Sequence, residues 1–214
     1  MADIDVNVLA SLYISEMPHW VVWRFDYGKQ KNPQKVPYIP GTTKRANSAE
    51  HTTWRSFDEA VEAYTAGGWE GIGFELGFSG LVGIDIDHCV TDTGEIEPWV
   101  RRLIQELDSY TEYSVSRKGI HILLKGTLPP RGRKKPPIEF YETDRYFAMT
   151  GWVIDGKSVI NDRQSELLDF HHRTFPELNK SDETEEPALC KREIVDSDIA
   201  NAATWLGKLS LARC

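Results

Sequence analysis

Leu81-Val82-Gly83-Ile84-Asp85-Ile86-Asp87-His88 is the stretch on which the fold and the chemistry turn. A bulky apolar run ends in two aspartates separated by one residue. Such a run reads as a buried strand. Strand side chains alternate with period two, so Asp85 and Asp87 point to the same face, roughly 6–7 Å apart along the strand. Two carboxylates at that spacing repel, and burying either alone is costly. A divalent cation relieves the conflict, and hard oxygen donors suit Mg²⁺ or Mn²⁺. Two solvated carboxylates at a strand end are the alternative, and this stretch alone does not choose between them.

The surrounding chain reads as α+β. Upstream, Val6 to Glu16 has helical spacing, and His19 to Arg24 reads as a strand. A basic loop broken by Pro33, Pro37, Pro40 and Gly41 follows. Ser56-Phe57-Asp58-Glu59 is a capping-box sequence that opens a short helix. Gly71 to Leu76 alternates as a strand, and the turn Gly77-Phe78-Ser79-Gly80 predicts a hairpin with the opening strand. Downstream, Pro98 starts an amphipathic helix. Strands are predicted over 111–115, 120–124, 138–141 and 146–150, and a helix over 162–172. The organisation expected is a catalytic domain over 1–175, an acidic linker over 176–195 and, over 196–214, a tail or the start of a further helical domain.

The 214 residues carry 33 acidic and 25 basic side chains, a net charge of −8. That disfavours a general nucleic-acid binder, but the charge is unevenly spread. Arg24 to Arg45 holds six basic residues, among them Lys35, Lys44 and Arg45, against the single acid Asp26. Arg131, Arg133, Lys134 and Lys135 form a second basic cluster. Solvated loops are one reading of these patches. Contacts to a single-stranded DNA template are the other, with Trp20, Trp23 and Trp54 either stacking on bases or filling the core. No apolar stretch approaches the ~20 residues of a membrane span, so no membrane partner is expected. The acidic N-terminus lacks a signal-peptide pattern, and the three cysteines are widely spaced. A reduced, cytoplasmic setting is expected.

Three further groups have useful chemistry. Ser114-Val115-Ser116-Arg117-Lys118-Gly119-Ile120-His121 joins two strands through a turn with exposed N–H groups, hydroxyls and cations, all suited to a phosphate. His121 is either a structural strand histidine or a phosphate contact. Glu139 lies between Ile138 and Phe140 on a strand, facing away from the core or meeting a metal. Asp144-Arg145-Tyr146 is a turn into a strand. Three carboxylates, a basic hydroxyl-bearing turn and a histidine together suit phosphoryl or nucleotidyl transfer with two metal ions.

The order of these motifs resembles the archaeo-eukaryotic primase superfamily, specifically the primase-polymerase domains of phages and plasmids. Gly83-Ile84-Asp85-Ile86-Asp87-His88 matches the first motif, hydrophobic-Asp-hydrophobic-Asp. Ser116-Arg117-Lys118-Gly119-Ile120-His121 matches the second, and Ile138-Glu139-Phe140 the third. Tyr110-Thr111-Glu112 and Asp144-Arg145-Tyr146 resemble segments around these motifs, and Trp20 to Trp23, Lys35 to Tyr38 and Gly71 to Phe74 are similar to the same group. The resemblance implies a small N-terminal α/β module beside a catalytic module like an RNA-recognition motif, with a mixed or antiparallel sheet. It implies DNA primase or polymerase activity with two Mg²⁺ or Mn²⁺ ions on Asp85, Asp87 and Glu139. It also implies triphosphate contacts from Ser116 and His121. Ser114, Arg117, Lys118, Gly119, Arg145 and Tyr146 are added as nucleotide-binding candidates by position and charge. The expected partners are dNTPs or NTPs, single-stranded template and primer, and a downstream helical or helicase domain of the same polypeptide. A Mn²⁺-dependent nucleotide-sugar glycosyltransferase also uses Asp-x-Asp but does not explain the ordered second and third motifs. A haloacid-dehalogenase phosphatase carries its pair near the N-terminus, not mid-chain. A non-catalytic nucleic-acid-binding module on the same fold is the third alternative.

Overall fold

The computed structural model describes residues 3–27 and 33–178. The acidic linker and the terminal helix expected beyond 178 lie outside the described residues, as do Lys29 and Lys31 of the first basic stretch.

The elements, in chain order, are α1 (Val6–Ser11), β1 (Trp20–Asp26), β2 (Gln34–Tyr38), α2 (Phe57–Ala66), β3 (Gly71–Glu75), β4 (Leu81–Ile86), α3 (Pro98–Leu107), β5 (Tyr110–Tyr113), β6 (Ile120–Lys125), β7 (Lys134–Lys135), β8 (Ile138–Tyr141), β9 (Tyr146–Met149) and α4 (Gln164–Thr174). Local chemistry accounts for the helix starts. Ser56 Oγ accepts from the Glu59 N–H, and the Glu59 carboxylate accepts from the Ser56 N–H, so the capping box opens α2 as expected. Pro98 occupies the first turn of α3, where its missing N–H costs nothing.

The strands form two antiparallel sheets. The first has the order β2-β1-β3-β9 and the second β5-β6-β4-β8-β7. The expected β3–β4 hairpin is not formed. β3 pairs with β1 and β9, whereas β4 pairs with β6 and β8. The Gly77–Gly80 turn instead carries the chain from one sheet to the other. Phe78 and Gly80 adopt positive φ, and Ser79 Oγ bonds both to Leu76 O and to Leu81 N–H. Both flanking strands are buried along nearly their whole length, so each needs a partner on both edges. Turn residues alone do not distinguish a hairpin from a crossing between sheets. The chain crosses back between β8 and β9, and these two crossings set the sheets beside one another.

Two further departures have physical causes. The basic loop contains the strand β2, because Pro37 is tolerated on an edge strand, where no partner needs its missing N–H. Trp20, Trp23 and Trp54 are all buried, which removes them as stacking platforms for bases.

One face of the second sheet carries Val82, Ile84 and Ile86 of β4, Ile120, Ile122 and Leu124 of β6, and Phe140 of β8. They pack against Val100, Leu103, Ile104 and Leu107 of α3 and Leu167 and Phe170 of α4. Each such side chain contributes roughly 1.5–3 kcal/mol on full burial. The opposite face is divided. Its lower end, Leu81, Tyr110 and Leu123, joins the core of the first sheet with Trp20, Phe74, Phe147 and Leu9. Gly83 lies at the join. A Cβ there would lie 2.5 Å from the Phe147 ring, so only glycine lets the sheets approach this closely. The upper end of this face is polar. No helix among the described residues is long and apolar enough to cross a membrane.

Candidate active site

Register places the polar residues in one line across the second sheet. Glu112 of β5 pairs with His121 of β6, His121 with Asp85 of β4, Asp85 with Glu139 of β8, and Glu139 with Lys134 of β7. Directly opposed residues in an antiparallel sheet have Cβ atoms about 4.5–5.5 Å apart. The line therefore holds three carboxylates with a cation or imidazole next to each. Asp87 lies just past the end of β4, where its N–H still bonds to Pro137 O, so the strand geometry continues.

The first sheet closes the other side of a cleft. A cavity of about 390 Å³ is lined by Asp85 and His121 from the second sheet, with Lys35 of β2, Arg145, and Tyr146, Phe147 and Ala148 of β9. Phe147 packs on the His121 ring at 4.7 Å between centroids. The Lys35 amine is drawn down in pKa chiefly by desolvation, and Asp85, Asp87 and Glu112 partly restore it. Its charge therefore faces the carboxylates across the cleft. Lys35 thus lines the cleft opposite the acidic row.

The carboxylates have different surroundings. No described residue hydrogen-bonds to the Asp85 carboxylate. Among the described residues its ion-pair partner is His121, with Nε2 at 3.9 Å. Burial raises its pKa, Asp87 adds to the rise, and His121, Arg145 and Lys35 oppose it. Glu139 is already engaged. Lys134 Nζ lies 3.2 Å from both of its oxygens, and the Tyr141 hydroxyl also donates to it. Burial pushes its pKa up, but these donors outweigh it and the net shift is downward. With Glu139 held in this way, no three His, Cys, Asp or Glu side chains among the described residues converge closely enough to hold a metal ion. Asp85 and Asp87 still fit one. They supply hard oxygens, and the buried member has no hydrogen-bond donor of its own.

The Ser114–Gly119 turn lies at the top of β5 and β6. Ser114 N–H bonds to Gly119 O, and Arg117 sits at positive φ. A Cβ on Gly119 would lie 2.7 Å from Ile86 O and 3.4 Å from the Asp87 Cα. The turn therefore abuts the second aspartate, and that closeness requires glycine. Ser114 and Ser116 hydroxyls bond to one another at 3.1 Å. The cations of the turn are directed elsewhere. Lys118 pairs with Asp92, and the Arg117 guanidinium stacks on Trp152 at 4.2 Å.

The remaining candidates are dispersed. Arg45 pairs with Asp26, and Lys44 is exposed nearby. Arg133 pairs with Glu142, and Lys135 Nζ donates to Thr174 O. Of the second basic cluster, Lys134 is the member the structure joins to the acidic row. Sequence reasoning missed Glu112 as a site residue. It is fully buried on β5, and the resemblance of Tyr110-Thr111-Glu112 to a segment around the motifs was the available signal.

No protein-family model matches the chain. Over 163 residues, covering 72% of this chain and 22% of the other protein, it is 34% identical to the DNA primase-polymerase of Nitratiruptor phage NrS-1. The chain is similar to a phage primase-polymerase. It spans 22% of the length of that relative, so the similarity concerns only part of the phage protein.

Proposed function

We propose that this chain carries out template-directed nucleotidyl transfer, as a DNA primase, a DNA polymerase or both, in phage or plasmid replication. One observation carries the reading: the in-register row Glu112, His121, Asp85, Glu139 and Lys134 sets Asp85 and His121 on the wall of a cleft whose other wall supplies Lys35 and Arg145. Acids for metal ions on one wall and cations for phosphates on the other suit a nucleoside triphosphate. The similarity to a primase-polymerase points the same way. The strand order of the second sheet also supports the catalytic module expected. Omitting the short β7, its strands run second, third, first, fourth in chain order, as in an RNA-recognition motif.

Asp85 and Asp87 would hold divalent cations, Mg²⁺ or Mn²⁺, and Glu139 would join them as third ligand on giving up its bonds to Lys134 and Tyr141. Two such ions lower the pKa of an attacking hydroxyl and neutralise a leaving pyrophosphate when bound. The chain's own groups do the rest. Lys35, Arg145 and His121 orient phosphate oxygens through charge-assisted hydrogen bonds. The Ser114–Gly119 turn, against Asp87, offers hydroxyls and N–H groups at the cleft rim. Phe147 and Leu76, closing on Gly83, exclude water from the floor.

The test is incubation with Mg²⁺ or Mn²⁺, labelled dNTPs or NTPs, and single-stranded DNA with and without a primer. Incorporation templated by the DNA is expected. Its absence under all of these conditions contradicts the proposal.

A further inference from the structure

Glu112 is the most thoroughly hydrogen-bonded carboxylate among the described residues, and it is fully buried. Oε2 accepts from the Tyr110 hydroxyl at 2.7 Å, from Thr150 N–H at 3.0 Å and from Gly151 N–H at 2.8 Å. Oε1 faces His121 Nδ1 at 3.1 Å. Backbone N–H groups can only donate, so Oε2 is an acceptor and carries no proton. An ionised Glu112 presents Oε1 as an acceptor too, which makes Nδ1 of His121 the donor in this bond. The opposite ring nitrogen, Nε2, is then the one left facing the cleft, on the side of Asp85. Thr150 and Gly151 follow β9 of the first sheet, so the same carboxylate also ties the two walls of the cleft together.

We propose that Glu112 is the positioning residue of His121. It holds the ring with Nδ1 turned inward to its own Oε1 and Nε2 turned outward to the cleft, beside Asp85. This rests on the nucleotide reading given above. An outward nitrogen backed by a buried carboxylate resembles the outer-sphere arrangement that orients histidine ligands at metal sites.

Glu112→Gln gives a sharp test. The amide oxygen must take the place of Oε2, because Thr150 and Gly151 N–H groups still require an acceptor. The amide NH₂ then faces Nδ1, which becomes an acceptor, and the neutral ring is forced to the Nε2–H form. Two readouts follow. Imidazole ¹⁵N shifts of ¹⁵N-histidine-labelled protein, assigned with His121→Asn, report the tautomer. Calorimetric titration with Mg²⁺-dATP reports nucleotide affinity. Tyr110→Phe is the control, because it disturbs the same buried cluster and leaves the Oε1–Nδ1 contact in place.

The wild-type protein is expected in the Nδ1–H form and Glu112→Gln in the Nε2–H form. Nucleotide affinity should fall about tenfold or more in Glu112→Gln, the worth of one hydrogen bond to a charged group. Tyr110→Phe should retain the wild-type tautomer and most of the affinity. A wild-type ring in the Nε2–H form overturns the proposal, even if Glu112→Gln does not fold. Equal losses in the two variants overturn it as well, because they show a merely structural role. A wild-type protein that has the expected tautomer but does not bind Mg²⁺-dATP overturns the nucleotide reading instead, and the role of Glu112 in it.

Discussion

Glu75 ends β3 and is fully buried, yet among the described residues neither of its carboxylate oxygens has a hydrogen-bond partner of ordinary geometry. The hydroxyl of Tyr146, its neighbour in register on β9, is equally bare. Burial pushes the Glu75 carboxyl up to about 7 from an ordinary value of 4.5, with the Ser48 side chain opposing weakly. At about 1.4 kcal/mol for each tenfold of proton affinity, that difference is worth about 3 kcal/mol. The folded state holds this proton more tightly than the unfolded chain does. The stability linked to it is therefore fully present below about 4.5 and is lost as pH rises through about 7. Glu75→Gln keeps the shape and cannot ionise. Its stability relative to wild type should rise by up to about 3 kcal/mol between pH 4.5 and pH 8. A constant offset from the buried amide does not affect that change. Urea unfolding of both proteins across this range, with the two-state assumption checked by two probes, gives the difference directly. A difference independent of pH would refute the reasoning and show that Glu75 is ionised and partnered in solution.

Three other outcomes follow from named contacts. Gly83→Ala forces a Cβ to within 2.5 Å of Phe147 and should cost about 1–3 kcal/mol, read as a lower urea midpoint; an unchanged midpoint contradicts the close approach of the sheets. Lys35→Ala should leave the urea midpoint within error of wild type while weakening Mg²⁺-dATP binding about tenfold, and an unaltered affinity would return Lys35 to the solvated loop. Charge reversal at Lys44 and Arg45 should weaken single-stranded DNA binding several-fold at low salt and flatten its salt dependence, as measured by fluorescence anisotropy. Equal affinities and slopes would remove this patch from the DNA path.

Much of the site was legible because its geometry is local. Period-two alternation puts Asp85 and Asp87 on one face without knowledge of any partner strand. The capping box and Pro98 fixed two helix starts for the same reason. What remained hidden depends on pairing between distant strands. The turn Gly77–Gly80 looks the same whether it closes a hairpin or crosses between sheets, and only the long-range partners of β3 and β4 decide it. Lys35 looked like one charge in a basic loop until the edge strand β2 placed it opposite Asp85. Lys134 and Lys118 looked alike by charge, yet one holds Glu139 and the other Asp92. Glu112 lay in a segment that resembles one around the motifs, but nothing local assigned it a role. Its importance comes from four partners, two of them backbone groups 38 and 39 residues away.

The most direct measurement is primer extension on a single-stranded template with Mg²⁺ or Mn²⁺, comparing wild type with Asp85→Ala/Asp87→Ala and with Glu139→Ala. Circular dichroism and urea unfolding would confirm that each variant is folded. Removing the aspartates takes away the hard-oxygen donors at the centre of the row, so incorporation should fall to background in the double variant and by orders of magnitude in Glu139→Ala. Wild-type incorporation by a folded Asp85→Ala/Asp87→Ala protein would contradict the assignment of this row as the catalytic centre.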